Sequence, residues 1–193
     1  MKLKLEHTEQ SKVWLTADLH LGHHKIIQYC NRPFQGLQEM NETLIANWND
    51  VVADDDFVIC AGDFAFKDDR KLTHFVARLN GKIILVYGNH DNQKRGGLFY
   101  KACDLLDLTV KDEIMSKTHF MVVSHYCLRT WNRSHFNSWH LYGHSHGGLP
   151  PIGKSWDVGV DNNEYAPISF ERVCEIMTER PDNPNLIKKE RKS

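Results

Sequence analysis

Residues 13–20 read VWLTADLH, an apolar run that ends in an aspartate with a histidine two positions later. Two further apolar runs each lead through a glycine into polar residues, where residues 57–63 read FVICAGD and where residues 82–91 read KIILVYGNHD. Short apolar runs bounded by glycine and polar residues are typical of buried strands. The repeated pattern therefore predicts three buried strands, each followed directly by polar side chains.

The segments between these strands carry apolar residues at helical spacing, around residues 40–48 and within residues 67–80. Strands that alternate with helices predict an α/β domain, which some schemes would class as α+β. In the second half of the chain, apolar runs predict further strands with few helices between them, at residues 108–115, 120–124, 140–142, 156–160 and 168–177.

Length and composition limit the classes of protein that the chain can belong to. The 193 residues fit a single domain, expected over residues 1–180, followed by a polar, mobile tail over residues 181–193. The net charge of −1 lends no support to nucleic-acid binding without hydrolysis. There is no run of about 18 apolar residues and no signal-peptide pattern, so we expect a cytoplasmic protein without a membrane partner. The five scattered cysteines are expected to be reduced thiols.

Five polar motifs each follow a predicted strand directly. They are Asp18-Leu19-His20, Gly62-Asp63, Gly88-Asn89-His90-Asp91, His125 and Gly143-His144-Ser145-His146. Ligand sites in open α/β sheets lie outside the carboxyl ends of the strands, where these residues would emerge. The sequence therefore predicts that motifs far apart along the chain meet at one edge of a sheet.

The side chains in these motifs are metal-ligand types. The candidate ligands are Asp18, His20, Asp63, Asn89, His125, His144 and His146. Seven nitrogen and oxygen donors are too many for one tetrahedral zinc ion. They suit two divalent metal ions that share a carboxylate. Imidazole and carboxylate without thiolate favour Mn, Fe, Zn, Co or Ni over Ca or Mg.

Each motif also has a purely structural interpretation. Asp18 could cap a helix, Gly62-Asp63 and Gly88-Asn89 could be ordinary turns, and His125 could be a core histidine. Nothing structural, however, requires five strands to end in metal-binding residues. The joint pattern therefore favours a metal site.

In this order and spacing, the motifs D-x-H, G-D, G-N-H-D, H and G-H-x-H resemble those of the calcineurin-like metallophosphoesterase family. The match runs from Asp18 to His146, about two-thirds of the chain. The opening motif, together with Arg-Pro-Phe at residues 32–34 and Trp-Asn at residues 48–49, resembles the short bacterial and phage members. The resemblance implies a four-layer sandwich of two mixed β-sheets flanked by helices.

The resemblance also implies a role for each residue. One metal would be bound by Asp18, His20 and His146, the other by Asn89, His125 and His144, with Asp63 bridging both. His90 would be the general acid, and Asp91 would hold its imidazole. The implied reaction is phosphoester hydrolysis by in-line attack of a metal-bridging hydroxide, with two divalent ions, Mn²⁺ being the expected pair.

Departures from the family bear on the substrate. Residues 62–67 read GDFAFK and lack the arginine by which the family's protein phosphatases contact phosphate, which disfavours a phosphoprotein. The short chain has no obvious cap domain, so we expect an open site for a small phosphorylated substrate, a nucleotide or oligonucleotide, as monoester or diester. Candidate substrate contacts are His23, His24, Arg32 and Arg129, each of which could equally be a solvated surface residue.

A different class of function is a non-catalytic metal-binding scaffold or partner-binding module on the same fold. Such relatives usually lose metal ligands or the acid histidine. All seven candidate ligands and His90 are present here, which argues against it. No obligate protein partner is evident.

Overall fold

The computed structural model describes residues 1–66 and 69–187 and contains two five-stranded sheets. The strands of the first sheet are β2 (Val13–Thr16), β3 (Phe57–Cys60), β4 (Lys82–Val86), β5 (Lys101–Cys103) and β10 (Ile168–Ser169). Their order is β10-β2-β3-β4-β5, in which β10 is antiparallel to β2 and the other pairs are parallel.

The strands of the second sheet are β1 (Lys2–His7), β6 (Leu106–Asp112), β7 (Lys117–Val123), β8 (Trp139–Tyr142) and β9 (Ser155–Asp157). Their order is β1-β6-β7-β8-β9, in which the β6–β7 pair is antiparallel and the other pairs are parallel. Both sheets are mixed, which confirms the predicted fold class.

Four α-helices accompany the sheets in the described part of the chain: α1 (Ile26–Tyr29), α2 (Leu37–Val51), α3 (Asp69–Val76) and α4 (Phe170–Glu179). Short 3₁₀ helices occur at Gln93–Leu98, Ser134–Phe136 and Val160–Asn162. The apolar stripe of α2, with Met40, Leu44 and Trp48, is buried on the first sheet against residues such as Val58 and Leu85. The residues that show helical spacing in the sequence therefore form the face that this helix buries.

The main core lies between the two sheets. Leu15 and Ile59 from the first sheet pack with Val110, Val123 and Leu141 from the second, and all five are fully buried. Burying each such side chain contributes roughly 1.5–3 kcal/mol, so the sandwich holds the strand ends in fixed relation to one another.

One predicted strand is wrong. Residues 168–177 form only two residues of strand before α4 begins. The Ser169 side chain accepts a hydrogen bond from the backbone N–H of Arg172 and caps the helix. Phe170, Val173 and Met177 then follow at helical spacing and are buried in the main core. Strands β1 and β5 were not predicted, and residues 67 and 68 of the predicted helix lie outside the described residues.

Loop 126–138 lies over the outer face of the second sheet. The backbone N–H of Leu128 donates to Nε2 of His140 at 2.9 Å, and the Trp131 ring lies 5.1 Å from the His140 ring. Residues 181–187, the first part of the expected tail, remain in contact with this loop, because the buried Asn183 amide donates to the carbonyls of Ser134 and Ser138. Residues 188–193 lie outside the described residues.

Within residues 1–66 and 69–187, no helix is long and apolar enough to cross a membrane.

Candidate metal centre

The motifs after β2, β3, β4, β7 and β8 meet at one edge of the sandwich. Backbone hydrogen bonds join them: Asp18 N–H donates to the Gly62 carbonyl and His20 N–H to the Asp63 carbonyl, both at 2.9 Å. The Gly143 N–H donates to the His125 carbonyl at 3.0 Å. These bonds join neighbouring loops within each sheet, and the Val160 N–H, which donates to the Ala17 carbonyl at 3.0 Å, joins a loop of the second sheet to one of the first. The motifs therefore converge at one edge of the sandwich, as their positions after the strands predict.

The side chains form two clusters that meet at Asp63. Donor atoms within 4.8 Å of one another come from Asp18, His20 and His146 in one cluster, and from Asp63, His125 and His144 in the other. Oδ2 of Asp63 lies 3.5 Å from Nε2 of His20 and 3.4 Å from Nε2 of His125. Oδ1 of Asn89 lies 3.0 Å from the same His125 nitrogen. The central carboxylate therefore faces ligand candidates of both clusters.

Five of the seven candidate ligands have a left-handed backbone. Their φ angles are 57° at Asp18, 51° at His20, 53° at Asp63, 66° at His144 and 45° at His146. This conformation costs a non-glycine residue roughly 1–3 kcal/mol and persists where the surrounding structure requires it. Its recurrence at the candidate ligands indicates that side-chain placement at this edge is maintained against local backbone preference.

Two glycines in the motifs are required by close approach. A Cβ at Gly88 would collide with the Asp63 carboxylate, and a Cβ at Gly143 would lie 2.6 Å from Cβ of Ala17 and 2.8 Å from Oδ2 of Asp18. Any larger residue at these positions would displace a candidate ligand.

The protonation states of the first cluster fit a bound cation. Asp18 is fully buried, and this burial raises its carboxyl pKa to about 7, even though the His144 N–H donates to both carboxylate oxygens. Burial also lowers the pKa of His20 to about 3, so its imidazole is neutral with a free lone pair. Its Nε2 is buried without a hydrogen-bond partner in the described part of the chain. A divalent ion would offset the desolvation of the Asp18 carboxylate and would accept the lone pair of His20, so these residues fit a metal.

Asp91 has a different role from the one expected. Its carboxylate accepts hydrogen bonds from the backbone N–H groups of Asp63, Phe64 and Gly88, at 2.8, 3.0 and 2.8 Å. Nδ1 of His90 is buried and makes no hydrogen bond to any residue that the structure describes. Asp91 therefore holds the loop that carries Asp63, and it does not hold the His90 imidazole.

Arg32 is not a substrate contact, which corrects the sequence-based expectation. Its side chain is buried and forms two hydrogen bonds of 2.8 Å with the carboxylate of Asp161. It also donates to the carbonyl oxygens of Asp18, at 2.6 Å, and Leu19, at 3.0 Å. Its guanidinium thus holds the backbone of the first motif in place.

Asp161 is a functional residue that the sequence analysis missed. Its Oδ2 lies 2.7 Å from Nδ1 of His146, which leaves Nε2 of that imidazole to face a metal. A carboxylate behind a ligating histidine fixes its tautomer and raises its basicity. Asp161 follows β9 as the other motifs follow their strands, and this recurrence was the available signal.

The remaining candidate substrate contacts differ in position. His23 is buried beside the centre, with its Nδ1 3.4 Å from Nδ1 of His20, and it stacks on Phe66 at 4.3 Å. His24 is exposed. Arg129 is exposed and lines a cavity of about 340 Å³ between loops 127–131 and 149–155. Among these three residues, His23 is the one whose side chain contacts a candidate metal ligand, His20.

Comparison with known proteins identifies the family of this chain. The family model described as calcineurin-like phosphoesterase matches residues 11–169. An uncharacterized protein of Methanocaldococcus jannaschii is 32% identical over 177 residues, covering 86% of this chain and 91% of that protein. The gene 66 protein of Mycobacterium phage L5 is 32% identical over 84 residues, covering 42% of this chain and 40% of that protein.

A crystal structure of a protein of unknown function from Aquifex aeolicus has a similar fold. Its TM-score is 0.62 at 22% sequence identity, and the match covers 86% of this chain and 99% of that one. This likeness shows the fold alone, whereas the family match spans all seven candidate ligands. The chain belongs to the calcineurin-like phosphoesterase family.

Proposed function

We propose that the protein is a two-metal phosphoesterase that hydrolyses a small, nucleotide-like phosphate ester. The observation that carries the proposal is the pair of donor clusters that meet at the Asp63 carboxylate. Family membership supports metal-dependent phosphoester hydrolysis in general. The complete set of ligands favours catalysis over a non-catalytic scaffold.

The seven candidate ligands would together bind two metal ions. Asp18, His20 and His146 would hold one ion, Asn89, His125 and His144 the other, and Asp63 both. Divalent ions held here supply charge neutralisation for the phosphate and activation of water, and Mn²⁺ suits the imidazole and carboxylate donors. Asp161 would orient the imidazole of His146, and Asp91 would hold the loop that carries Asp63.

His90 is placed to move a proton at the edge of the centre. Its backbone N–H donates to Oδ1 of Asp63 at 2.9 Å, and its Nε2 lies 4.0 Å from Oδ2 of the same carboxylate. The side chain is 28% exposed, which supports a role in which His90 would contact a substrate bound at the centre. We assign Nε2 as the atom that donates a proton to the leaving alkoxide, a contribution of roughly 10²–10⁴-fold.

An aromatic surface beside the centre supports a nucleotide-like substrate. Phe66 is 36% exposed and stacks on His23 with an interplanar angle of 11°. Its ring centroid lies 5.9 Å from that of His90. A base stacked on an aromatic side chain gains roughly 1–3 kcal/mol. A nucleotide could bind with its phosphate at the metal centre and its base stacked on Phe66.

The test combines metal content with a substrate screen. The purified protein is stripped with chelator, reloaded with Mn²⁺, and assayed on phosphomonoesters, cyclic nucleotides, dinucleotides and single-stranded oligonucleotides. We expect two metal ions per chain and activity that depends on them, highest on a nucleotide-containing ester. Full turnover in excess chelator with no bound metal would refute the two-metal assignment. Two bound ions without hydrolysis of any of these esters would favour the scaffold function instead.

A further inference from the structure

A second group of metal-ligand side chains lies away from the centre. Donor atoms of Asp112, His119 and Cys174 lie within 4.8 Å of one another. Asp112 ends β6, His119 is in β7, and Cys174 is on α4. His119 precedes His125 by six residues along an extended segment, which separates the two groups by about 20 Å at ~3.3 Å per residue. The group is therefore distinct from the binuclear centre.

The arrangement of the strands brings these residues to one place. In the antiparallel β6–β7 pair, Val110 lies opposite His119 and Asp112 lies opposite Lys117. Val110 faces the main core, so its partner His119 points to the same side. Cys174 packs against this core from α4. All three side chains thus approach one end of the space between the two sheets.

The polar atoms of this group are not satisfied by one another. Asp112 is 2% exposed, and its Oδ2 lies 4.0 Å from Nε2 of His119, which is too far for a hydrogen bond. That Nε2 is buried and has no hydrogen-bond partner among residues 1–66 and 69–187. The other carboxylate oxygen accepts from the Met115 N–H at 3.1 Å. A buried, unpaired nitrogen facing a carboxylate across such a gap is what an ion between them would resolve.

The histidine is held in this orientation by its neighbours. Its ring centroid lies 4.6 Å from the Trp139 ring and 5.4 Å from the Phe170 ring.

Burial raises the pKa of the Cys174 thiol to about 12, so this cysteine is not an activated nucleophile in the metal-free protein. The donors are therefore positioned by packing, and the thiol becomes a ligand only when a metal ion displaces its proton, which is released to solvent.

We propose that Asp112, His119 and Cys174 form a mononuclear site for Zn²⁺ or a similar transition-metal ion. One thiolate, one imidazole and one carboxylate are a donor set that zinc accepts, with water in the fourth position. The seven candidate ligands of the binuclear centre are nitrogen and oxygen donors, and the Cys30 thiol lies beside them, with its Sγ within 4.8 Å of donor atoms of His146 and Asp161. A metal at the proposed site would connect α4 to β6 and β7. The proposal does not depend on the phosphoesterase function.

Cobalt substitution tests the proposal, because Co²⁺ bound to a thiolate gives a near-ultraviolet charge-transfer band that nitrogen and oxygen ligands do not give. Metal-free protein is titrated with Co²⁺ and followed by absorbance and by metal content. We expect the band to saturate at one ion per chain in the wild type and to be absent in Cys174→Ser. Cys30→Ser is the matched control, since it removes the partly buried thiol that lies beside His146 and Asp161 at the binuclear centre, and it should retain the band.

Asp63→Ala separates this site from the binuclear centre. This variant should lose metal at the centre and keep the cobalt–thiolate band. If the wild type shows no such band, or if Cys174→Ser keeps it, the site does not exist. Should Cys174→Ser fail to give a native circular dichroism spectrum, His119→Gln serves instead. Its apparent Co²⁺ affinity, followed by the band, should fall at least ~10-fold, and an unchanged affinity would overturn the proposal.

Discussion

The Asp161→Asn substitution tests whether the carboxylate behind His146 controls one metal position. It preserves side-chain size but removes the negative charge. In the native structure Oδ2 of Asp161 accepts from Nδ1 of His146 at 2.7 Å, and both carboxylate oxygens accept from Arg32. An amide offers one oxygen acceptor for these two partners, so at least one contact is lost.

The expected magnitudes follow from these contacts. Loss of a carboxylate behind a ligating histidine reduces metal affinity by roughly 10–100-fold. The Arg32 side chain is 0% exposed, and breaking a buried ion pair costs about 3–5 kcal/mol. The amide oxygen of the variant remains as one acceptor, so we expect a cost near the lower end, about 3 kcal/mol. For a chain of this size that lowers the Tm by about 6–12 °C.

The assay is Mn²⁺ binding by equilibrium dialysis, together with thermal unfolding of the metal-free protein. Mn²⁺ affinity should fall at one position, because the candidate ligand that Asp161 contacts is His146, which belongs to the cluster with Asp18 and His20. The matched control is Asp182→Asn, which makes the same chemical change at an exposed carboxylate and should alter neither quantity. An equal loss at both positions, or unchanged binding with unchanged Tm, would refute the positioning role of Asp161.

Three further predictions concern the centre. Asp63→Ala should reduce metal occupancy at both positions, measured by metal analysis, whereas His135→Ala should leave both ions of the centre bound; normal occupancy in Asp63→Ala would contradict the bridging role. His90→Ala should retain bound metal and lose roughly 10²–10⁴-fold more activity on a ribose ester than on a p-nitrophenyl ester, because p-nitrophenolate leaves without a proton. A uniform loss on both esters would argue against a general acid. Phe66→Ala should raise KM for nucleotide esters by roughly 5–150-fold, corresponding to about 1–3 kcal/mol of stacking, with little change for p-nitrophenyl phosphate, and an equal change for both substrates would contradict base stacking.

The seven candidate ligands could be identified from the sequence because their signal is local. Each lies a few residues beyond the end of an apolar run, and strand ends in a sandwich of this kind meet at one edge. The pattern of strands and helices predicted an α/β domain, and the family resemblance implied the two mixed sheets. The strand predicted at residues 168–177 was wrong because a short apolar stretch fits a strand and a buried helix equally well. The helical spacing of Phe170, Val173 and Met177 was the better guide.

The supporting residues depended on contacts between distant parts of the chain. Arg32 meets Asp161 across 129 residues of sequence, and Asp91 reaches the backbone of Asp63 across 28. The residues next to Arg32, Asp161 and Asp91 in the sequence do not indicate whether these charged side chains are buried against a partner or exposed to solvent. For that reason the sequence suggested a substrate contact at Arg32 and gave Asp161 no role.

The sequence alone therefore determined which residues are the candidate metal ligands, since that information lies in the residues directly after each strand. Only the tertiary structure decided what stands behind those donors and what lies at the far end of the sandwich. The proximity of Cys174 to Asp112 is an example, because it requires α4 to pack across the ends of β6 and β7. Burial, unpaired nitrogens and left-handed backbone are properties of the packed chain, and they arise only once the sheets have closed over one core.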